Sequence, residues 1–496
     1  ISLGQEPDLT KSTDELKNAY ETDTGNPYLE WLLFNFGRYL LVGSAPGVLP
    51  ANLQGKWGRD LSNPWGADYH ANINLQMNYW FAEMTNMNLV KPMFDYIEKT
   101  WVPRGTETAQ TLYSISRGWV THNEMNIFGH TGMKLFQNSA QSANYPECGS
   151  WMAIHIWDHF DYTNDVEWWK TQGYPLIKGH AQFQLDKLIA DDHFNDSSLV
   201  VAPCNSPEQA PITFGCSHAQ QLIWQLFNAV EKGFEAAGDT DTAFLEEVRQ
   251  KRAQMDKGIH IGSWGQLQEW KLDMDNPSDT HRHLSHLIGL YPGYAIANYD
   301  PAVQAPPNHS KTYTKQQVFE AARISLIHRG VGTGPDADSG WEKMWRSAAW
   351  AQFGNATGFY HELTYSIERN HAVNLFSMYD PNPSPPDRIF QIDANLAYPA
   401  VVLNGLLQAP DVPSLSTPLV VTILPALPSN WQTGFIKGAR IRGAMIVDLS
   451  WSKGKPTSVT IKADEGSPAR LVQVIYAGKT VKSFKSSGAQ TQNIRF

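Results

Sequence analysis

Ala397-Tyr-Pro-Ala-Val-Val-Leu-Asn-Gly-Leu-Leu407 runs through Gln-Ala-Pro-Asp-Val-Pro413-Ser-Leu-Ser-Thr-Pro418 into Leu419-Val-Val-Thr-Ile-Leu424. The first run has apolar residues at helical spacing, the last is a short β-branched strand signal, and prolines separate them. Upstream, the helical spacing recurs in Tyr28–Val42, Leu75–Lys99, Met152–Tyr162, Trp168–Ile189, Ala219–Ala237, Asp241–Met255, Lys315–Arg329 and Trp341–Phe353. Downstream come Ala444-Met-Ile-Val-Asp-Leu-Ser-Trp, Ser458-Val-Thr-Ile-Lys and Arg470-Leu-Val-Gln-Val-Ile-Tyr, with turn residues between them. Many helices followed by a block of strands predict a mostly α protein with a separate all-β layer. The expected division is a polar lead-in over 1–27, a helical region over 28–412 and a β domain over 413–496.

The 496 residues suffice for a large core and more than one domain. Charged residues make up 18%, and the net charge is −10. With no basic run, a nucleic-acid partner is not expected. No apolar stretch reaches the ~18 residues of a membrane span. The chain begins at Ile1 rather than Met, which reads as a leader or something larger removed ahead of it. Sequons at Asn195, Asn308 and Asn355 fit a secreted glycoprotein. Cys204 and Cys216 bracket a short loop and pair if the protein is secreted, leaving Cys148 free; three buried thiols are the alternative.

The chemistry is concentrated in Trp65-Gly-Ala-Asp-Tyr-His-Ala-Asn-Ile-Asn-Leu-Gln-Met-Asn-Tyr-Trp80, where a loop is predicted to enter a helix. Amides both donate and accept hydrogen bonds, as sugar hydroxyls do. Aromatic faces such as Trp65 offer flat apolar area to the C–H side of a sugar ring. Glu208 lies on a loop stiffened by Pro203, Pro207 and Pro211. A carboxylate on a rigid, otherwise uncharged loop is poorly solvated, so its pKa is expected to rise, as suits a general acid; an ordinary loop glutamate is the plain alternative. Asp393 reads as an acid near a helix N-terminus, or simply as that helix's cap. Asp279-Thr-His-Arg-His-Leu-Ser-His286 packs three His around Arg282. Arg282 repels a cation and no His-x-x-x-His helix with a partner acid is evident, so no metal is expected; a polar wall donating to ligand hydroxyls is. Pro335-Asp-Ala-Asp-Ser-Gly-Trp-Glu342 is a further acidic loop that reads as a solvated turn with helix capping.

Leu53-Gln-Gly-Lys-Trp57, the Asp68–Trp80 block, Gly265-Gln-Leu-Gln-Glu-Trp270, His281–His286, Phe390–Asn395 and Leu424-Pro-Ala-Leu-Pro occur in this order. In this the chain, from about residue 28 to its end, resembles glycoside hydrolase family 95, the inverting α-L-fucosidases and some α-L-galactosidases. The resemblance implies an (α/α)6 barrel followed by a β domain, no cofactor, and a glycan substrate. It places a general acid on Glu208, water-holding asparagines on Asn72 and Asn74, and an assisting aspartate on Asp393. It makes His70, Arg282 and His283 sugar-binding residues, with His70 a candidate gate between L-fucose and L-galactose. The family's large β domain ahead of the barrel is missing, so the chain reads as one piece of a larger or cleaved protein. Ala394 stands where the family usually has Gly, Leu396 where it has Phe, and Gly118–Gly129 departs from the common pattern. An (α/α)6 phosphorylase would need more phosphate donors than Arg282 and scattered His supply. A non-catalytic carbohydrate-binding protein is the remaining alternative. In a regular helix Asn72 and Asn74 do not share a face, so this pair is predicted to be extended or to sit at the helix entry.

Overall fold

The computed structural model describes residues 1–133, 140–306, 311–334, 338–384 and 387–496. Its helices pack in two rings. The inner ring runs through Asn74–Tyr79, Cys148–Thr163, Ser217–Ala237, the Ser285–Leu287 turn, Gly340–Gln352 and Asp393–Leu406, which packs back on Asn74–Tyr79. Trp345 donates to the Tyr291 carbonyl at 2.9 Å and ties the Gly340–Gln352 helix to the segment after that turn. Every residue of Asn74–Tyr79 and of Asp393–Leu406 is buried, as expected of helices covered all round. Outer helices back the inner ones: Pro27–Ser44 packs on Asp393–Leu406, Ala356–Asn370 on Gly340–Gln352, and Tyr174–Lys187 and Thr242–Gln254 on Ser217–Ala237. This is the (α/α)6 barrel. Between Pro27–Ser44 and Asp393–Leu406 the approach is close enough to require glycine: a Cβ on Gly37 would meet the Asn395 carbonyl at 2.4 Å. No helix among the described residues is long and apolar enough to cross a membrane.

The sequence reading differs in places. Leu75–Lys99 is not one helix. The inner helix ends at Tyr79, Asn86 turns the chain at φ 57°, and a new helix begins at Lys91 with Pro92 in its first turn. Val102–Tyr113 and Ala356–Asn370 are helices without a matching expectation. The second is capped by Asn355, which accepts from the Gly358 amide at 2.9 Å. The lead-in is packed rather than loose: it contains the Thr13–Asn18 helix, buries Leu3, Leu16 and Tyr20, and pairs Ser2 with Phe435.

Beyond the barrel lie two four-stranded sheets. One orders Lys479–Lys485, Leu471–Tyr476, Leu419–Ile423 and Leu407–Gln408; the other orders Thr491–Arg495, Lys455–Ala463, Met445–Ser452 and Gly434–Ile441. Each of the four strand runs read from the sequence falls inside a strand to within one residue at its ends, Leu424, Ala444 and Arg470 lying just outside. The additional ones carry weaker alternation: Gly434–Ile441 breaks register between Ile436 and Ala439, and Lys479–Lys485 is an exposed, lysine-rich edge. Val421, Ile423, Val447, Leu449, Val459 and Val472 join the same apolar core as the barrel.

Glu30 pins three parts of the molecule together. Its carboxylate accepts from Tyr20 and Tyr360 hydroxyls, both at 2.8 Å, from the Asn26 amide at 2.9 Å, and from the Trp431 indole at 2.6 Å. The lead-in, the outer helix Ala356–Asn370 and the β domain thus share one buried acceptor. Ion pairs Lys232–Asp411 (2.5 Å), Arg442–Asp158 (2.6 Å) and Arg470–Asp161 (2.8 Å) add further buried links, the last two joining barrel to β domain. Glu30→Ala strands several buried donors, and a loss of about 3 kcal/mol is expected. Urea unfolding followed by tryptophan fluorescence checks it: one cooperative transition at lower urea is predicted, and an unchanged midpoint contradicts the linking role.

Candidate active site

At the mouth of the barrel is a cavity of about 190 Å³ with a polar floor of His70, Asn74, Glu208, Arg282 and His283 and an aromatic rim that includes Trp65, Trp341 and Tyr379. Short, locally specified pieces of backbone bring these side chains together.

Tyr69–His70 pairs antiparallel with Glu124–Met125, placing His70 opposite Glu124. The chain then turns through 71–73 and enters the Asn74–Tyr79 helix. Ile73 at φ −177°, ψ −41° is the hinge, and Gln76 fastens the turn by donating to the Ala71 carbonyl at 2.6 Å. Asn72 therefore lies before the helix and Asn74 at its first residue. The Asn72 amide donates to Glu208 Oε1 at 2.8 Å, and the Asn74 amide donates to Asp393 Oδ2 at 3.2 Å. The Asn72 carbonyl oxygen is buried with no hydrogen-bond partner among the described residues.

Glu208 sits on a loop closed by the Cys204–Cys216 disulfide, inside which Cys204 and Thr213 exchange two backbone hydrogen bonds of 2.8 Å; Cys148 is free and buried. Glu269, fully buried, holds the same loop on both sides of Glu208. One of its oxygens accepts from Ser206 and, at 2.6 Å, from Gln209, and the other pairs with Arg329. Arg346, buried on the inner helix, donates to the carbonyls of Arg282 (3.0 Å), His281 (3.2 Å), Gly330 (2.9 Å) and Arg329 (3.2 Å). It thereby fixes the loop that carries Arg282.

The charge state of Glu208 departs from the sequence expectation. Burial alone would raise its pKa, but the hydrogen bond from His70 and the guanidinium of Arg282 on its other oxygen hold it well below the usual carboxylate range. The loop is uncharged, as read; the cations come from two other segments. His70 experiences the converse. Burial opposes its charge, yet Asp68, 2.9 Å from Nδ1, and Glu208, 3.3 Å from Nε2, carry its pKa well above the ordinary value. His283 is kept neutral by burial. Asp393 is pushed up to about 7, chiefly by burial, with the Asn74 hydrogen bond opposing. Asn78, its amide turned to donate, reaches the other Asp393 oxygen at 2.8 Å. Asp393 is the first residue of its helix and Ile392 the cap position, so capping does not account for it.

Of the expected wall, Arg282 and His283 face the cavity. His281 stacks behind His283 with ring centroids 5.3 Å apart, and His286 points away to Glu269 at 3.6 Å. Trp65 stands edge-on to Tyr379 (centroids 5.2 Å, 75°) from a left-handed backbone, φ 53°, a strained geometry of the sort found at ligand sites. Ala394 is buried against Gly340 rather than exposed to the cavity. Of the acidic loop, Asp338 pairs with Lys343 at 2.5 Å and Arg369 at 2.7 Å, while 335–337 lie outside the described residues. So does Asn308; Asn195 is exposed, and Asn355 is exposed but acts as the helix cap.

Sequence reasoning gave no role to Asp68, Glu124, Gln391, Trp341 or Tyr379. Asp68, Gln391 and Trp341 sit inside the Asp68–Trp80, Phe390–Asn395 and 335–342 stretches. Glu124 has no local signal, because only strand pairing sets it beside His70. Asp68, His70 and Glu124 bring ligand-type atoms within 4.8 Å of one another. The 2.9 Å Asp68–His70 contact and the positive Arg282 beyond Glu208 read as a proton-sharing arrangement rather than a cation cage.

Residues 1–406 match the glycosyl hydrolase family 95 catalytic domain and residues 416–494 the family's C-terminal domain. The chain belongs to glycoside hydrolase family 95. It is 46% identical over 481 residues to a probable alpha-fucosidase A of Aspergillus niger, covering 94% of this chain and 58% of that protein. It is 34% identical over 481 residues to alpha-L-fucosidase 2 of Arabidopsis thaliana, covering 93% of this chain and 52% of that protein. The chain thus spans little more than half the length of these relatives. A putative kojibiose phosphorylase from the human microbiome shares the fold at TM-score 0.60 and 10% identity, covering 94% of this chain and 65% of that one.

Glu269→Ala leaves Arg329 with a buried, half-satisfied charge and is expected to cost about 3 kcal/mol in chemical denaturation. Removing the exposed Glu320 partner of Arg323 serves as the control, with no measurable change expected because that pair is solvent-screened. Equal effects would contradict the anchoring role of Glu269.

Proposed function

We propose that the chain is the catalytic part of an inverting exo-glycosidase that removes terminal α-L-fucosyl residues, α-1,2-linked ones foremost, from glycans. The observation that carries this is the paired arrangement at the cavity: Asn72 bonded to Glu208, Asn74 bonded to Asp393, with the Asn72 carbonyl oxygen unpartnered among the described residues. Inversion needs an acid on the leaving oxygen and a water on the opposite ring face, held by a base. Glu208 is the acid. Both asparagines commit their N–H groups to carboxylates, so their carbonyl oxygens are left to accept from a water. An amide oxygen is too weak a base to keep a proton, and Asp393 takes it. Arg282 and His283 donate to sugar hydroxyls, and the Trp65–Tyr379 rim supplies apolar area for a sugar face. The family membership and the named alpha-fucosidases among the relatives support fucose as the sugar. The disulfide and the exposed sequon asparagine Asn195 support a secreted protein. The greater length of the relatives supports a further domain in the whole protein.

The decisive assay follows free sugar released from 2-fucosylated lactose, with the first-formed anomer read by NMR; a retained anomer overturns the mechanism. Glu208→Gln is expected to cut turnover at least about a hundredfold while fucose still binds in calorimetry. Near-full activity on that substrate removes Glu208 from the role. Asp393 must be ionised to accept a proton, and its pKa is raised to about 7. Activity should therefore fall as pH drops through the neutral range, giving kcat/KM an acidic limb near 7. A limb in the ordinary aspartate range, about 4, rules Asp393 out as the base.

A further inference from the structure

Glu208, assigned above as proton donor, is held as a carboxylate, so its proton must come from elsewhere. Its Oε2 faces Arg282, which has no proton to give. Its Oε1 faces His70 Nε2 at 3.3 Å. On the other side of the ring, Nδ1 meets Asp68 Oδ2 at 2.9 Å and Glu124 Oε1 at 3.8 Å. All three partners of the Asp68–His70–Glu124 cluster are buried, and Asp68 Oδ1 has no hydrogen-bond partner among the described residues. Among the described residues, the charged and titratable groups facing His70 are Asp68, Glu124 and Glu208, with Arg282, His283 and Asp393 in the next layer around them. The Asn123 amide nitrogen, 3.3 Å from Nε2, is the neutral neighbour.

We infer that His70 is the proton store for Glu208, and that Asp68 and Glu124 are positioning residues that hold it charged and aimed at Glu208 Oε1. The inference rests on the reading of Glu208 as the general acid. The pair His70⁺/Glu208⁻ and the pair His70/Glu208–H have the same net charge and differ in the place of one proton. A bound sugar that displaces water disfavours the ionic pair more than the neutral one, because the cost of keeping two charges grows as solvent leaves. On binding, the Nε2–H bond breaks and an Oε1–H bond forms. That proton then passes to the glycosidic oxygen as its bond to the anomeric carbon breaks. The attacking water's proton goes to Asp393, and the cycle closes when solvent returns one proton to His70 and takes one from Asp393. Water is the sole co-reactant.

The test uses the full-length protein carrying Asp68→Asn or Glu124→Gln, assayed across pH on two substrates. One is 2-fucosylated lactose, whose leaving sugar needs a proton; the other is an aryl fucoside with an acidic phenol, which does not. The Asp68→Asn loss on the lactose derivative is expected to exceed that on the aryl fucoside at least about tenfold. The alkaline limb should move to lower pH, since removing a carboxylate weakens proton binding by His70. Glu124→Gln shifts the same way, more weakly, and stands in if Asp68→Asn does not fold. Equal losses on both substrates with an unmoved alkaline limb overturn the inference and leave a purely structural role. Glu208→Gln run in parallel separates the two readings. If it fails to discriminate between the leaving groups, the acid assignment itself falls; if it discriminates and Asp68→Asn does not, the proton store alone falls.

Discussion

A carboxylate buried at the mouth of an apolar barrel stays ionised only where cations are held against it, and the arrangement of the site follows from that requirement. Glu208 takes Arg282 on one oxygen and His70 on the other. Neither cation could be kept there by its own segment. Arg282 depends on the buried Arg346, which grips the backbone of its loop, and His70 on the two-residue ladder with Glu124–Met125 and on Asp68. Desolvation makes each of these pairings expensive to lose and sensitive to geometry, so the inner helices and the Glu208 loop must be rigid before the site can exist.

That rigidity is itself made from buried polar groups that are satisfied. Glu269 binds both flanks of the Glu208 loop and Arg329 at once, and Glu30 does the same for lead-in, outer helix and β domain. Each is a single acceptor serving donors from distant segments; Glu269 ties barrel loops to one another, and Glu30 couples the barrel to the β domain beside it. The β domain contributes no residue to the cavity; its part is to cover apolar barrel surface and to supply Trp431, Arg442 and Arg470 to the joint.

The two carboxylates are separated in chemical character by their neighbours rather than by their own type. Asp393 lies among amides, so burial dominates and its pKa rises to about 7. Glu208, as buried, lies among cations, and its pKa falls. The two are thus displaced in opposite directions around one cavity, with the lowered pKa on the proposed proton donor, the reverse of the usual division in which the raised carboxyl is the acid; that reversal is why the proposed donor role of Glu208 calls for a proton from a neighbour.

Features that depend on near neighbours were legible in the chain alone. The change of period at Pro413 marked the helical and β parts, because helix and strand signals are local. The Asn-x-Asn spacing required a break at the helix entry, and Ile73 supplies it. Tertiary structure alone decided the charge of Glu208. Its loop is uncharged over many residues, and the groups that reverse the effect of burial lie 138 and 74 positions away. It also decided that Leu75–Lys99 would break after Tyr79 and that Glu124 would face His70. Electrostatic effects in a low-dielectric site act through distance in space, and distance in space is what one-dimensional spacing does not carry.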